Sequence, residues 1–337
     1  MNIDSFSPKQ KRLISFIHSI LVIIPYYFYD LKRFSRFAML GGEPRNQLQY
    51  DALLTKDYHK IEKALSFNNF RYFSAQSAIN EIIYTINNGL EKFDNHTVTR
   101  LAITTLEEYI TRHKTDKKKD KFITTLEGKI DQINKKLNAL EKSKIKGGTT
   151  NVSKKEILRS SMIDLDKFFK SRYSIRNFSP EEVSKESIEK AIDMALKTPS
   201  VCNRQGWKVY IVENEDLKQK ALNIQGGNRG FGDTVNKLLV ITTEINTFND
   251  PKERNQYWID GGLFSMSIVY ALHSMGIGTC CLNWSAKPAK DKKLRKALNI
   301  KPNHAIVMLL AIGHYKDEFK VCVSHRKNTK EIIHYLN

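Results

Sequence analysis

The sequence predicts an α+β fold in which a mixed central sheet is flanked by helices and preceded by a mainly helical region. Residues 206–213, 237–244 and 304–315 read as strands, and the last two are almost continuously apolar. Helical apolar spacing fills the segments between them, including the nearly all-apolar run 260–278, which Gly276 and Gly278 end. Continuously apolar strands that alternate with helices indicate a sheet covered on both faces.

The composition allows a sizeable core and points to anionic partners. The chain has 337 residues, of which 41% are hydrophobic, and a net charge of +19. Such a charge suits phosphates, nucleic acid or a membrane surface but says nothing about the fold. The cysteines show no CxxC spacing, so a disulfide scaffold or a zinc site is not expected, and we predict no bound metal. These residues are Cys202, Cys280, Cys281 and Cys322.

The strongest apolar run covers residues 13–29, with basic residues on both flanks. No small-residue cleavage site follows it, so a secretory signal peptide is not expected. A buried helix is the first interpretation. A helix in the membrane interface, giving peripheral contact through residues 9–36, is the second. A membrane-spanning helix is the least favoured of the three, because the run is short and contains His18 and Pro25.

Residues 1–150 are predicted to form a mainly helical region, followed by a second domain at 157–337. Apolar residues in 123–140 alternate spacings of three and four, which is a short heptad seam. Either a partner subunit or the chain's own domain could cover that seam. The Gly-, Thr- and Lys-rich segment 142–156 is predicted to be the linker. His59 and Glu62 are spaced like half a metal site, but surface polar residues are the favoured interpretation.

The first motif that suggests chemistry is "SRYSIRNFS", which begins at residue 171. If this stretch is extended, Arg172, Ser174 and Arg176 point to one side, and Tyr173 and Ile175 point to the core. Guanidinium groups and a hydroxyl in a row suit a phosphate. Solvated arginines on a loop are the alternative.

The second motif is "TPSVCNRQGW", from residue 198 to residue 207. Hydroxyl and amide side chains cluster at Ser200, Asn203 and Gln205, just after Pro199. Amides both donate and accept hydrogen bonds, which suits a heterocycle such as a flavin or a purine. Ordinary turn chemistry is the alternative.

Two further motifs follow the long apolar helix. In "GIGTCCLNW", residues 276–284, glycines would let the backbone approach a flat ligand, and the paired cysteines are interpreted as small packing residues. In "SHRKNTKEIIHY", residues 324–335, Arg326 and Lys327 precede a predicted C-terminal helix.

The order of these motifs over residues 165–337 resembles the nitroreductase family of FMN-dependent oxidoreductases. The resemblance implies a homodimer with FMN at the subunit interface, where the arginine motif and Arg326 hold the phosphate and ribityl chain. It also implies that the amide motif and the segment after Cys281 meet the flavin ring, partly from the partner subunit. The cofactor-binding residues implied are Arg172, Tyr173, Ser174, Arg176, Pro199, Ser200, Asn203, Gln205, Leu282, Asn283 and Arg326.

The chemistry implied by the resemblance is ping-pong hydride transfer. NADH or NADPH reduces flavin N5 and leaves, and an oxidised substrate then takes the electrons, so no side chain is nominated as an acid, base or nucleophile. The chain departs from most relatives at Gly206, where they have proline, which suggests a looser turn. It also lacks the Glu-Gly pair of well-studied nitroreductases at 280–284, so the substrate range does not transfer.

The N-terminal run "YHKIEKALSF", which begins at residue 58, resembles nitroreductase-like proteins associated with polysaccharide biosynthesis. This resemblance implies a sugar-linked or other small-molecule substrate in cell-surface metabolism, and a cytoplasmic protein associated with the membrane surface. Flavin fragmentation, dehalogenation or ring dehydrogenation would fit the same fold. The alternative from another class is a non-catalytic, basic protein with a degenerate flavin fold that binds a membrane surface or, less favoured, nucleic acid.

Overall fold

The computed structural model describes residues 7–67, 70–115, 120–140, 145–151, 164–319, 321–322 and 326–336. In its N-terminal part five long helices follow one another. They are α1 (Pro8–Phe37), α2 (Gln47–Ser66), α3 (Gln76–Gly89), α4 (Thr97–Thr115) and α5 (Lys121–Leu140).

The C-terminal part contains the sheet and its covering helices. The helices are α6 (Leu165–Ser171), α7 (Lys185–Ala195), α8 (Glu215–Gln225), α9 (Gln256–Ser274) and α10 (Pro288–Leu298). The strands are β1 (Trp207–Val212), β2 (Lys237–Glu244), β3 (Ile277–Asn283) and β4 (His304–His314).

The sheet has the strand order β1-β2-β4-β3, and each of these neighbours pairs antiparallel. The α+β prediction is confirmed, with its helices on both faces and all of β2 buried between them. The predicted mixing of strand directions is wrong for these four strands. Within the described residues the parallel element is a single bridge from Ser174 to Thr279.

Two local predictions near the end of the chain are wrong. Gly276 and Gly278 were both predicted to end the apolar helix, but directly after Gly276, whose φ is +73°, the chain forms strand β3. Gly278 therefore lies in a strand and does not end a helix. The predicted C-terminal helix is replaced, within residues 326–336, by a single 3-10 turn at Thr329–Glu331.

The N-terminal helices α2 to α5 share one apolar core, and the heptad seam faces it. The buried seam residues are Ile123, Leu126, Ile130, Ile133 and Leu137, and they join the same cluster as Tyr50, Ile82 and Leu106. The seam is therefore covered by the chain's own helices. The side chain of Leu140 lies outside the described residues.

The predicted linker is described only up to residue 151, and residues 152–163 lie outside the described part of the chain. Its described portion packs on α4, because the Gly147 N–H donates to Thr104 Oγ1 over 2.8 Å and the Thr149 N–H donates to Glu108 over 2.8 Å. The domain boundary there remains a prediction. His59 Nδ1 lies 3.0 Å from Glu62 Oε2, as an ordinary pair within one helix.

Helix α1 is not buried along residues 13–24, so the first interpretation of this run is wrong. The described side chains of these residues are exposed, whereas the last third of the helix is docked on the rest of the chain. There Tyr29 Oη donates to Asp291 over 2.8 Å and Arg33 donates to the His304 carbonyl over 2.9 Å. Among the described residues, α1 is the one helix long and apolar enough to cross a membrane, judged by length and composition.

Candidate functional site

The arginine motif lies along the outer edge of β3. The Ile175 N–H donates to the Thr279 carbonyl over 2.8 Å, and the Ser179 N–H donates to the His314 carbonyl over 2.9 Å. Ile175 and Phe178 are buried against the sheet, as the alternation requires. Tyr173 does not face the core as predicted, since its side chain is 43% exposed. It lies just before the bridge at Ser174, where the contact with the sheet begins.

Two glycines of the sheet let this segment approach so closely. A Cβ on Gly278 would stand 3.0 Å from Ile175 Cγ1, and a Cβ on Gly313 would stand 2.8 Å from the side chain of Phe178. Larger residues at either position would push the segment away from the sheet. The glycines therefore help to set where the arginine side chains emerge.

The polar side of the segment lines a cleft of about 690 Å³, which we name the arginine cleft. Arg172, Ser174 and Arg176 line it together with Arg326 from the end of the chain. The lining of the cleft comes from four separate segments of the sequence, 169–176, 266–270, 281 and 322–326. Its other lining residues are Phe169, Lys170, Tyr173, Met266, Val269, Tyr270, Cys281 and Cys322.

The arginines of the arginine cleft have no carboxylate partner among the described residues, whereas Lys170 at its edge pairs with Asp166. Arg176 Nη1 lies 3.5 Å from Cys322 Sγ, and in the part of the chain that the structure describes none of Arg172, Arg176 and Arg326 pairs with a carboxylate. Cations gathered around one cavity without carboxylate partners favour an anionic ligand. A phosphate ester is one ligand of this charge.

Leu282 and Asn283 line a second cleft of about 380 Å³, the strand cleft, which shares Arg176 and Cys281 with the first. Beyond Thr279 the outer edge of β3 is not paired with another strand of the described residues, and the Asn283 carbonyl accepts from Gln225 Nε2 over 3.1 Å. The side chain of Asn283 is already used, because its Oδ1 accepts from the Ser285 N–H over 2.7 Å.

The amide motif forms a tight turn before β1 and lines neither cleft in the single chain. Ser200 Oγ accepts from the Gln205 N–H over 3.0 Å, and Asn203 and Gln205 both have positive φ. The predicted looseness at Gly206 is wrong. Its carbonyl accepts from the Glu244 N–H over 2.6 Å, and a Cβ there would stand 2.5 Å from Thr247 Oγ1.

Comparison with known proteins agrees with this architecture. The model of the nitroreductase family matches residues 169–227 and 221–314. Residues 169–314 are thus similar to the nitroreductase family, and we call them the nitroreductase domain. The match covers the arginine motif, the sheet and α9, whereas Cys322 and Arg326 of the arginine cleft lie beyond it.

Individual relatives match the same domain. A protein of Archaeoglobus fulgidus named NADH dehydrogenase/NAD(P)H nitroreductase is 29% identical over 45% of this chain and 86% of its own. A protein of the same name from Methanothermobacter thermautotrophicus is 26% identical over 43% and 74%. A solved FMN-dependent nitroreductase of Clostridium difficile is 24% identical, with a TM-score of 0.43, over 50% of this chain and 98% of its own.

Sequence reasoning missed several residues that shape the site of the nitroreductase domain. Arg204, whose side chain is 1% exposed, anchors the amide turn through Glu253 and through the Thr247 carbonyl at 2.8 Å. His273 Nε2 lies 2.9 Å from Ser171 Oγ, and its Nδ1 lies 3.0 Å from Tyr315 Oη. His273 therefore connects the start of the arginine motif to Tyr315 at the end of β4. The one sequence signal for this role is its position in the last turn of α9.

The thiols at the site differ in their surroundings. Cys281 is exposed to the clefts, whereas Cys280 is buried, so the interpretation as packing residues fits only Cys280. Burial raises the pKa of the Cys280 thiol, although Arg176 nearby opposes that shift. Cys280 is therefore protonated near neutral pH and is not a nucleophile.

Proposed function

We propose that this chain is an FMN-dependent oxidoreductase that takes electrons from NADH or NADPH and passes them to a second substrate. The observation that carries the proposal is the arginine cleft, in which three arginines without carboxylate partners surround a cavity of about 690 Å³. That volume lies within the range of about 300–1,000 Å³ that is usual for small-molecule and cofactor sites. The names of the matched relatives support the same chemistry.

The residues present fit FMN. A phosphate needs charge-assisted donors, which Arg172, Arg176 and Arg326 supply, and the Ser174 hydroxyl adds a short donor. The edge of β3 at Leu282 and Asn283 lines the strand cleft and would meet a flat ring system through its backbone. When bound, FMN would supply hydride transfer between the nicotinamide and the substrate, as flavins do.

The protein's own part in this reaction is to bind and orient. The arginines hold the phosphate, and the backbone of β3 fixes the ring edge, so we assign no side chain as a catalytic acid, base or nucleophile. Alternate reduction and oxidation of one site corresponds to the ping-pong order that the resemblance implies.

A homodimer is part of the proposal. Pro199, Ser200, Asn203 and Gln205 line neither cleft of their own chain, so they would reach a flavin only from a partner subunit. Helix α9 supports this, because it exposes apolar side chains that a second copy would cover. These are Trp258, Ile259 and Leu263.

We also propose that the protein is cytoplasmic and lies on the membrane through residues 9–36. The docked face of α1 carries Tyr29 and Arg33, and the same face carries Ser15 and His18 further along. The opposite face is apolar from Leu13 to Leu31, and an amphipathic helix with basic flanks binds in the headgroup region of anionic membranes. Its exposed residues are Ile14, Ile17, Leu21, Ile24, Phe28 and Leu31.

The role in cell-surface polysaccharide metabolism and the sugar-linked substrate stay predictions from the N-terminal resemblance. The competing function, a non-catalytic basic protein, does not account for an intact arginine cleft. A flavin fold that had lost its cofactor would have no need to keep those uncompensated charges together.

The test is the absorption spectrum of the purified protein. We expect a yellow protein that releases FMN on denaturation and is bleached anaerobically by NADH or NADPH. The double variant R172A/R176A should lose FMN, whereas R229A/R254A, which removes equal charge outside the clefts, should keep it. Colourless protein that FMN does not reconstitute, or full occupancy in R172A/R176A, would overturn the proposal.

A further inference from the structure

A third cleft lies where α1 meets the nitroreductase domain. This helix cleft has a volume of about 420 Å³ and lies between the docked face of α1 and the segment after β3. Aromatic rings dominate its walls, with Tyr26 and Tyr29 on one side and Trp258 and Trp284 on the other. Charged groups, among them Arg33 and Asp291, stand at its polar edge.

The three clefts are neighbours. The helix cleft and the strand cleft share Trp284, Ser285 and Ala286, and the strand cleft and the arginine cleft share Arg176 and Cys281. These shared residues stand where a path from α1 to the place proposed for the flavin would run.

Trp284 stands at the first junction and is held in place. Its Nε1 donates to Asp291 Oδ1 over 2.9 Å, and the Lys290 ammonium lies 5.7 Å from the centre of its ring. The same Asp291 accepts from Tyr29 of α1. The Asp291 carboxylate thus holds both Trp284, which lines the two neighbouring clefts, and helix α1 beside the opening.

The surroundings of the opening indicate where its ligand comes from. On the side of α1 that faces away from the domain, Phe28 and Leu31 are 64% and 61% exposed. Apolar side chains exposed in this number mark a lipid or protein contact. Because the exposed apolar face of α1 runs from Leu13 to Leu31 and basic residues flank it, we commit to an anionic bilayer as its occupant.

We propose that the substrate reduced at this site is an amphiphile held in the membrane. Its redox-active headgroup enters through the helix cleft and the strand cleft, and its hydrocarbon tail stays in the bilayer beside α1. This inference rests on the proposed oxidoreductase function and adds the substrate class and the route.

The experiment compares two acceptors with one ring, a tail-less naphthoquinone in solution and an isoprenoid-tailed naphthoquinone in vesicles containing anionic lipid. In either reaction NAD(P)H gives up a hydride and becomes NAD(P)⁺. The quinone takes up the two electrons and the proton of that hydride, together with one proton from solvent, and becomes the quinol. We expect the tailed acceptor to have a kcat/KM at least about tenfold higher than that of the tail-less acceptor.

The variant P288W narrows the helix cleft, because Pro288 lines this cleft and neither of the two clefts assigned to FMN. We expect it to lower kcat/KM for the tailed acceptor about tenfold while bleaching by NADH and reduction of the tail-less acceptor stay within about twofold. The control is A289W, on an exposed part of α10 that lines none of these clefts. It should leave both acceptors unaffected.

The outcomes separate this inference from the function on which it rests. If the tail-less acceptor is reduced but the tail brings no advantage, or if P288W affects both acceptors equally or neither, the membrane-held substrate is wrong and the oxidoreductase stands. If neither acceptor is reduced and the protein holds no FMN, both proposals fall. If α1 associates with a second copy and not with vesicles, the route from the bilayer is overturned.

Discussion

The side chain of Phe178 lies on the backbone of Gly313, so that a Cβ at Gly313 would stand 2.8 Å from three of its carbon atoms. Phe178 also forms a bridge with Tyr315, just beyond the end of β4. These contacts fix the C-terminal end of the arginine motif, as the bridge from Ser174 to Thr279 fixes its middle. The position of the arginines thus depends on a strand about 135 residues away in sequence.

We expect the variant G313A to be less stable than the wild type. The added methyl must displace Phe178 or the strand, and overpacking of this kind costs about 1–3 kcal/mol. Urea denaturation measures the loss, and FMN occupancy should fall with it because the arginines shift.

The matched control for G313A is G262A on α9, where a Cβ meets nothing within 4 Å. Alanine is the better helix former, so G262A should be neutral or up to about 1 kcal/mol more stable. Wild-type stability in G313A would show that Phe178 moves aside without cost.

Arg326 offers a sharper test of the arginine cleft because its neighbour is a control. R326A removes a charged donor from the cleft, and losing such a hydrogen bond costs about 1.5–3 kcal/mol, so FMN should bind at least about tenfold more weakly. K327A removes the same charge at the adjacent position, which does not line the cleft.

Titration of the apoprotein with FMN, followed by flavin fluorescence, gives both dissociation constants. R326K should bind FMN with an affinity between those of the wild type and R326A, since lysine keeps the charge but not the planar fork. Equal affinities for R326A and K327A would mean that Arg326 does not contact the phosphate.

Much of the fold could be predicted because its signals are local. The apolar strands at 237–244 and 304–315 and the apolar helix before Gly276 show directly in the pattern of the sequence. Strand β3 was missed because "IGTCCLN" has small residues and no clear alternation, and its place in the sheet comes from pairing with β4. The burial of α1 was predicted wrongly because a buried helix and a membrane-facing helix have the same composition.

The site was only partly predictable for a different reason. Arg172, Ser174 and Arg176 follow a period of two, so their shared direction is a local property that the sequence reveals. Which residues meet them is not local: Cys281, Cys322 and Tyr270 reach the arginine cleft from three other segments. The buried role of Arg204 is likewise invisible in the sequence, where it is one cation of many.

We expect the buried pair of Arg204 and Glu253 to be required for the amide turn. Arg204 also lies over the ring of Phe248, 5.1 Å from its centre, so the guanidinium is enclosed on several sides. R204M leaves the carboxylate without its partner, and breaking a buried pair in this way costs about 3–5 kcal/mol.

Thermal and urea unfolding measure the effect of R204M, and adding E253Q should recover part of the loss because the unpaired charge is removed. The exposed pair of Lys185 and Glu189 is the reference, since K185M should change stability by about 0.5 kcal/mol or less. A similar small effect for R204M would show that the turn is held by its backbone alone.

His273 should make stability depend on pH. Burial lowers its pKa below the ordinary value of 6.5, and the nearby charge of Arg172 lowers it further, although the hydrogen bond with the Phe168 carbonyl opposes both. The unfolded chain therefore takes up a proton at higher pH than the folded chain. The stabilisation is complete above about pH 6.5 and is lost as the pH falls towards the folded pKa.

The free energy of unfolding, measured from about pH 8 down to about pH 5.5, should fall less steeply in H273Q than in the wild type. H18Q, which changes an exposed histidine of α1, should keep the wild-type slope. If H273Q and H18Q show the same slope, His273 is protonated equally in both states and does not couple folding to pH.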